Sequence, residues 1–222
     1  MRVSVLIAIA AAVLAALLAV YVAVLRPWHL RWGTTAVEAT EILPGDDLLQ
    51  GNLGQVTRAI TIDAPRERIW PWLMQMGQDR GGFYSYTPLE NMIGADMPEV
   101  HRLRPNWYAR VPSETVWSAT PKRFNGQGKM VAAIVEVPRA FVMVMPADWQ
   151  KISSGGRGSD GSWGFILVPI DAGHTRFIAR LRSGPPPNQK TRLAGSIFWE
   201  PAHFVMERKM LLTIKRLAES TQ

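Results

Sequence analysis

From Val3 to Leu25 the chain carries no charged residue. About 20 apolar residues, rising about 1.5 Å each, are enough to cross a hydrocarbon layer about 30 Å thick. The segment therefore predicts one membrane-spanning helix within residues 1–30, and the rest of the fold must be built by the residues after it. Arg2 precedes the run, and Arg26, Trp28, His29, Arg31 and Trp32 come after it, the basic and aromatic flank found where a helix emerges among headgroups. The competing reading is a cleaved signal peptide. That reading calls for an apolar run of roughly 7–15 residues and a small-x-small cleavage site, and Tyr21-Val22-Ala23-Val24-Leu25-Arg26 offers no convincing one. Arg2 with the α-amino group balances Arg26 with Arg31, so the positive-inside count leaves the side of the membrane open.

The remainder of the 222-residue chain suits one domain of ordinary size. The absence of cysteine excludes disulfides, thiol catalysis and cysteine-ligated metals. A net charge of +7 raises the question of nucleic acid, yet the basic residues are scattered among acidic ones without a dense run, so no nucleic-acid partner is expected. The membrane, through residues 3–25, is the expected macroscopic partner.

Residues 31–55 read as a linker, with a turn cluster at Leu43-Pro44-Gly45-Asp46-Asp47 and a short helix over Thr35–Ile42. Val56–Ile62 alternates, with Val56, Arg58, Ile60 and Ile62 on one side, and predicts the first strand. Asp63-Ala64-Pro65 looks like a helix cap, and Ile69, Leu73 and Met76 continue at helical spacing to Gly77. A glycine-rich loop, Gly77–Tyr86, lacks the phosphate-cradling pattern. A second short helix is predicted over Thr87–Ile93. Strands are predicted at Glu114–Ala119, Met130–Val137, Ala140–Met145, Gly161–Ile170 and Arg176–Arg182, joined by short turns into an antiparallel meander. In the last of these, Phe177, Ala179 and Leu181 alternate with Arg176, Arg180 and Arg182, which predicts one dry and one wet face. Leu193–Ala218 reads helical, with Pro201 either starting a new helix or kinking a longer one; the long terminal helix, expected over Pro201–Ala218, would cover the dry face. The fold class is thus α+β, a curved antiparallel sheet of about six strands gripped by a C-terminal helix.

This order of elements, with Ile60-Thr61-Ile62-Asp63-Ala64-Pro65 leading into a helix that carries Trp70, resembles the START/Bet v 1-type helix-grip superfamily, often labelled SRPBCC or polyketide cyclase-like. The stretches GQDRGGFYSYTPLEN and EPAHFVMERKMLLTIKR resemble an uncharacterised, membrane-associated bacterial branch of it. The likeness covers Val56–Ala218, and residues 56–222 are expected to form the domain. It implies a hydrophobic cavity between sheet and last helix, used by relatives for lipids, sterols, polyketides or hormones. It implies no universal catalytic residue, and no cofactor is expected.

His203, Glu207, Met210, Ile214 and Leu217 share one helix face at intervals of three and four. His203 and Glu207 could hydrogen-bond, leaving an imidazole nitrogen for a ligand; they could equally be a buried histidine and its satisfying carboxylate. Glu200-x-x-His203 with Glu207 is a metal-like spacing without the second copy that di-metal sites need, so no metal is expected. Glu90 with Tyr84 and Tyr86 lies near a cavity mouth, or else forms a helix cap and two core aromatics. His203, Glu207, Glu90 and Tyr86 are therefore the candidates for acid/base chemistry. Candidates for lining the cavity are Tyr84, Trp117, Phe141, Met143, Trp163, Phe165, His203, Met206 and Met210, since apolar, Met-rich surfaces adapt to ligands. Periodicity does not separate lining from core. The expected function is a membrane-tethered binding protein for a hydrophobic or amphipathic small molecule of lipid or isoprenoid type; the alternative is a cyclase, dehydratase or isomerase acting in the same cavity.

Overall fold

The computed structural model describes residues 2–220. Helix α1 (Arg2–Val20), a π-helical turn over Tyr21–Leu25 and helix α2 (Arg26–Leu30) succeed one another without a break. Val3–Leu30, at 28 residues, is long and apolar enough to cross a membrane. The π turn has a local cause. Pro27 lacks an amide hydrogen, and its ring clashes with the carbonyl four residues back. Arg26, just before it, donates instead to the carbonyl five back, that of Tyr21, which widens the helix where the ring must fit.

The chain then turns at Gly33, where φ is +75° and a Cβ would meet the Ala59 carbonyl oxygen at 2.1 Å, so only glycine fits. The short helix expected over Thr35–Ile42 does not form. Thr35 and Glu38 do bond reciprocally, as in a capping box. The Glu38 carboxylate is also bound by Arg176 at 2.6 Å, and the chain continues as turns to a 3-10 turn at Asp46–Leu48.

Six strands make one antiparallel sheet: β1 (Gly54–Ile62), β2 (Thr115–Trp117), β3 (Lys129–Glu136), β4 (Ala140–Val144), β5 (Gly161–Pro169) and β6 (Thr175–Ser183), in the order β1-β6-β5-β4-β3-β2. Helices α3 (Arg66–Met74) and α4 (Thr87–Met92) come between β1 and β2. Pro65, not Asp63, occupies the cap position of α3. A further helix, α5 (Pro146–Ser153), interrupts the expected meander between β4 and β5. Proline in its first turn favours the start. Its Asp148, fully buried, accepts the N–H groups of Ser159, Asp160 and Gly161 at 2.8–2.9 Å and so sets the return into β5.

The C-terminal rod begins at Gln189 and runs through Pro201, the longer of the two helical readings, and does not start at that proline. It comprises α6 (Gln189–Ala194), a π turn over Gly195–Trp199 and α7 (Glu200–Ser220), capped where the Asn188 side chain accepts the Thr191 N–H. Pro201 is absorbed as Pro27 is: Glu200 donates five residues back to Gly195. The two rods meet at these turns. Arg26 and Glu200, each the residue before a proline, form a two-bond ion pair at 2.7 and 2.8 Å, and the Tyr21 hydroxyl donates to the Ser196 carbonyl.

The main core lies between the sheet's concave face and helices α3 and α7, with Ile62, Phe141, Phe165 and Phe177 packed with Leu73, Leu211 and Ile214. A smaller cluster on the opposite face joins Leu43 to Ala59, Ala140, Ile166 and Ile178. The face of β6 predicted to be wet is covered. Arg180, 3% exposed, donates to Asp46 at 2.5 Å and to the carbonyls of Glu38 and Glu41 at 2.7 Å. The segment after Gly33 supplies these acceptors from more than a hundred positions away in sequence, where strand periodicity gives no hint of them.

Candidate functional site

Strand β1 points Arg58 inward, on the same side as Ile60 and Ile62, and the guanidinium is wholly buried. A buried cation must be paired and hydrogen-bonded. Arg58 Nη1 donates to Glu207 Oε2 at 2.6 Å and to His203 Nδ1 at 3.0 Å, and Nε donates to the His29 carbonyl at 2.8 Å. The other Glu207 oxygen accepts Trp163 Nε1–H at 2.8 Å. One turn of α7 and single positions of β1 and β5 thus converge on one carboxylate.

The protonation pattern comes from these bonds. An arginine in this setting always donates, so His203 Nδ1 accepts and the ring proton belongs on Nε2. That nitrogen lies 3.9 Å from Glu207 Oε1, too far for a hydrogen bond. Burial holds the His203 imidazole below its ordinary pKa; Glu207 opposes the shift and Arg58 adds to it. The ring is neutral at pH 7, and Nε2–H makes no hydrogen bond among the described residues.

Beside this cluster lies a cavity of about 170 Å³. Phe83, Trp163, Met206 and Met210 supply its apolar wall, and Phe83 stacks on Trp163 with ring centroids 5.6 Å apart. Glu90, Ser85, Ser118, His203 and Glu207 supply its polar edge. Ser85 is engaged, donating to the Met206 carbonyl at 2.8 Å. Glu90 differs: its Oε2 is buried without a partner, and burial, helped by the Glu99 charge, raises its pKa to about 7. A carboxyl poised there can hold a proton or release it near neutrality.

Of the residues singled out from sequence, the structure brings Glu90, His203, Glu207, Trp163, Met206 and Met210 around this one cavity. Tyr86 lies on the surface beneath Lys209, 39% exposed. Tyr84 is buried, its hydroxyl donating to the Trp72 carbonyl at 3.2 Å. Phe141, Met143 and Phe165 are at most 1% exposed and fill the concave face. Trp117 sits on the edge strand β2 under Lys129. Glu200 is occupied by Arg26, and among the described residues no cluster of three or more His, Asp or Glu could hold a metal.

Sequence reasoning missed Arg58, Ser85, Ser118 and Phe83. The signal for Arg58 was present: a charge on the inward parity of an otherwise apolar strand face needs a partner there. The two serines and Phe83 lie on loops outside any periodic pattern.

No protein-family model matches this sequence, and no curated protein is detectably similar to it. Among solved structures, similarity is found to protein Ms6760 from Mycobacterium smegmatis, at 14% identity over 82% of this chain and 99% of that one, with a TM-score of 0.40. The Polyketide_cyc-like protein Cgl2372 from Corynebacterium glutamicum is 14% identical over 74% of this chain and 91% of that one, with a TM-score of 0.37. The NdmA QL mutant from Pseudomonas putida CBB5, solved with caffeine, is 15% identical over 85% of this chain but 48% of its own, with a TM-score of 0.40. Overlaps this loose assign no function.

Proposed function

We propose that this chain is a membrane-tethered binding protein for a small amphipathic molecule of lipid or isoprenoid type. The observation that carries the reading is an apolar-walled cavity with two polar residues on its edge, His203 and Glu90, the Oε2 of Glu90 being buried without a partner. Ligand sites are mostly apolar with a few convergent polar groups. At about 170 Å³ the cavity is below the roughly 300–1,000 Å³ typical of drug-sized ligands. It therefore takes the polar end and a few carbons. Glu90 belongs to α4, only six residues long with Leu89 and Met92 exposed, so this is the wall expected to yield to a longer ligand.

Retention of the anchor is supported by how the end of the first rod is used. His29 is 4% exposed and its carbonyl satisfies Arg58, and Arg26 is tied to Glu200. Cleavage at the end of the apolar run would leave those two residues in place but remove Tyr21, whose hydroxyl donates to the Ser196 carbonyl. A tether also raises the effective concentration of the domain near bilayer-dissolved ligand.

The test is native mass spectrometry with lipid extraction on the full chain, purified in detergent from its own host. A co-purifying apolar molecule that disappears in Met210→Trp, which fills the cavity, is expected. Reproducibly empty protein, or a ligand indifferent to that substitution, refutes the reading. The near-neutral Glu90 carboxyl favours a second reading, an acid/base enzyme of the cyclase, dehydratase or isomerase type. That reading expects deuterium from heavy water to enter the co-purified molecule with the wild type and not with Glu90→Gln; a simple binder gives no exchange with either.

A further inference from the structure

His203 lines a second and larger space as well, a groove of about 640 Å³. It lies between the start of β1, the end of β6 with Pro185 and Pro186, and the π turn that joins α6 to α7. Leu53, Val56, Leu181 and Trp199 make it apolar along its length, while Arg26, Arg58, Arg192 and Glu200 line it with charge.

The charges in and beside the groove do not balance. Glu200 is consumed by Arg26, and Glu207, next to the groove, is consumed by Arg58. Arg192 is exposed and has no ion pair among the described residues. Arg58 has a second deficit: its Nη2 is buried with no hydrogen-bond partner, though a buried guanidinium N–H ordinarily finds an acceptor. Three arginines against two carboxylates, with one buried donor unfilled, is a site short of one anion.

Its position says where that anion comes from. Arg26 sits near the end of the 28-residue apolar rod, the level at which a spanning helix meets headgroups. The adjacent π turn leaves Ile197, Phe198 and Trp199 51–65% exposed, and aromatic side chains favour that same interfacial depth. On the same side, Leu18 and Val22 of the rod line an apolar crevice with Leu193 and Ile197. The groove is thus continuous with the surface that would face the bilayer.

We infer that this groove is a second binding site, distinct from the inner cavity, for the acidic headgroup of a membrane amphiphile, with its phosphate or carboxylate held by Arg192 and Arg58 and its first carbons along Leu53, Val56 and Leu181. The inference rests on the anchoring reading but not on a ligand in the inner cavity.

The full chain is placed in nanodiscs of phosphatidylcholine with and without phosphatidylglycerol, released into the mass spectrometer, and scored for retained lipid. Phosphatidylglycerol is expected to be retained over phosphatidylcholine by about tenfold or more. Arg192→Gln, an exposed change that leaves the core intact, should remove most of that preference, and Leu53→Trp should block it. Met210→Trp should leave it unchanged, which separates this site from the inner cavity. Equal retention of the two lipids, or a preference that survives both groove variants, overturns the proposal. Inorganic phosphate is titrated into the detergent-solubilised chain as the other arm. Displacement of phosphatidylglycerol by millimolar phosphate only, or not at all, supports the lipid as the source of the anion; displacement at micromolar phosphate refutes it.

Discussion

Replacing Glu207 by alanine isolates the energetics of the buried cluster. The carboxylate has lost nearly all contact with water, as has the Arg58 guanidinium it binds, with side chains 1% and 0% exposed. Removing it deletes a charge-assisted bond of 2.6 Å and leaves the Trp163 indole N–H without its acceptor at 2.8 Å. The first loss is worth about 1.5–3 kcal/mol and an unsatisfied buried donor about 1–3 kcal/mol. The larger effect is an arginine still buried and now uncompensated, and breaking such a pair costs about 3–5 kcal/mol in all. The His29 carbonyl and His203 Nδ1 still serve Arg58, which keeps the expected loss inside that range. For a chain of this size each kcal/mol moves Tm by about 2–4 °C, so Glu207→Ala should lower it by roughly 6–20 °C. Denaturant unfolding in detergent, monitored by tryptophan fluorescence, gives the free energy directly. The control is Arg58→Met with Glu207→Leu, which removes both charges at similar volume and should recover most of the loss. A cost below about 1 kcal/mol for Glu207→Ala, or a double variant no more stable than the single one, would refute the argument that desolvated charge governs this site.

The Glu90 pKa is about 7 in the folded protein against 4.5 for the free side chain, so between those values the native state binds more protons than the unfolded chain and stability must fall as pH rises. Because Glu90 keeps some exposure, the fall attributable to it is on the order of 2 kcal/mol; unfolding from pH 4 to 8 should show it as a wild-type minus Glu90→Gln difference, and a flat difference refutes the burial argument. His203, its pKa lowered, works in the opposite sense, since stability is lost as pH falls below the ordinary imidazole value, and His203→Gln should remove that loss. Arg180→Ala deprives the segment after Gly33 of its bonds to Asp46, Glu38 and Glu41; limited proteolysis should then cut within residues 34–50 several-fold faster, and an unchanged cleavage pattern would show that Arg180 is not what holds that segment down.

Much of this molecule can be read locally. The apolar run, the strand alternation and the helical spacing in α7 each depend on neighbours a few residues apart, so the class α+β, six strands and a gripping terminal helix are legible without coordinates. The shared face of His203, Glu207 and Met210 is legible for the same reason: one turn of helix fixes it. What periodicity cannot supply is which surfaces meet. Pro201 allows two readings, the start of a new helix or a kink in a longer one, because proline ordinarily breaks a helix; the chain passes through it by widening to a π turn. The arginines of β6 read as solvated because their acceptors, the Glu38 and Asp46 carboxylates and the carbonyls of Glu38 and Glu41, belong to a distant segment. Glu90 became a cavity carboxyl, and Tyr86 a surface ring, only through the way the glycine-rich loop sets down α4, which has Tyr86 at its cap and Glu90 in its first turn. The sequence by itself determined which side chains share a face; the tertiary structure decided which faces lost their water, and burial is what turns a charged residue into a site.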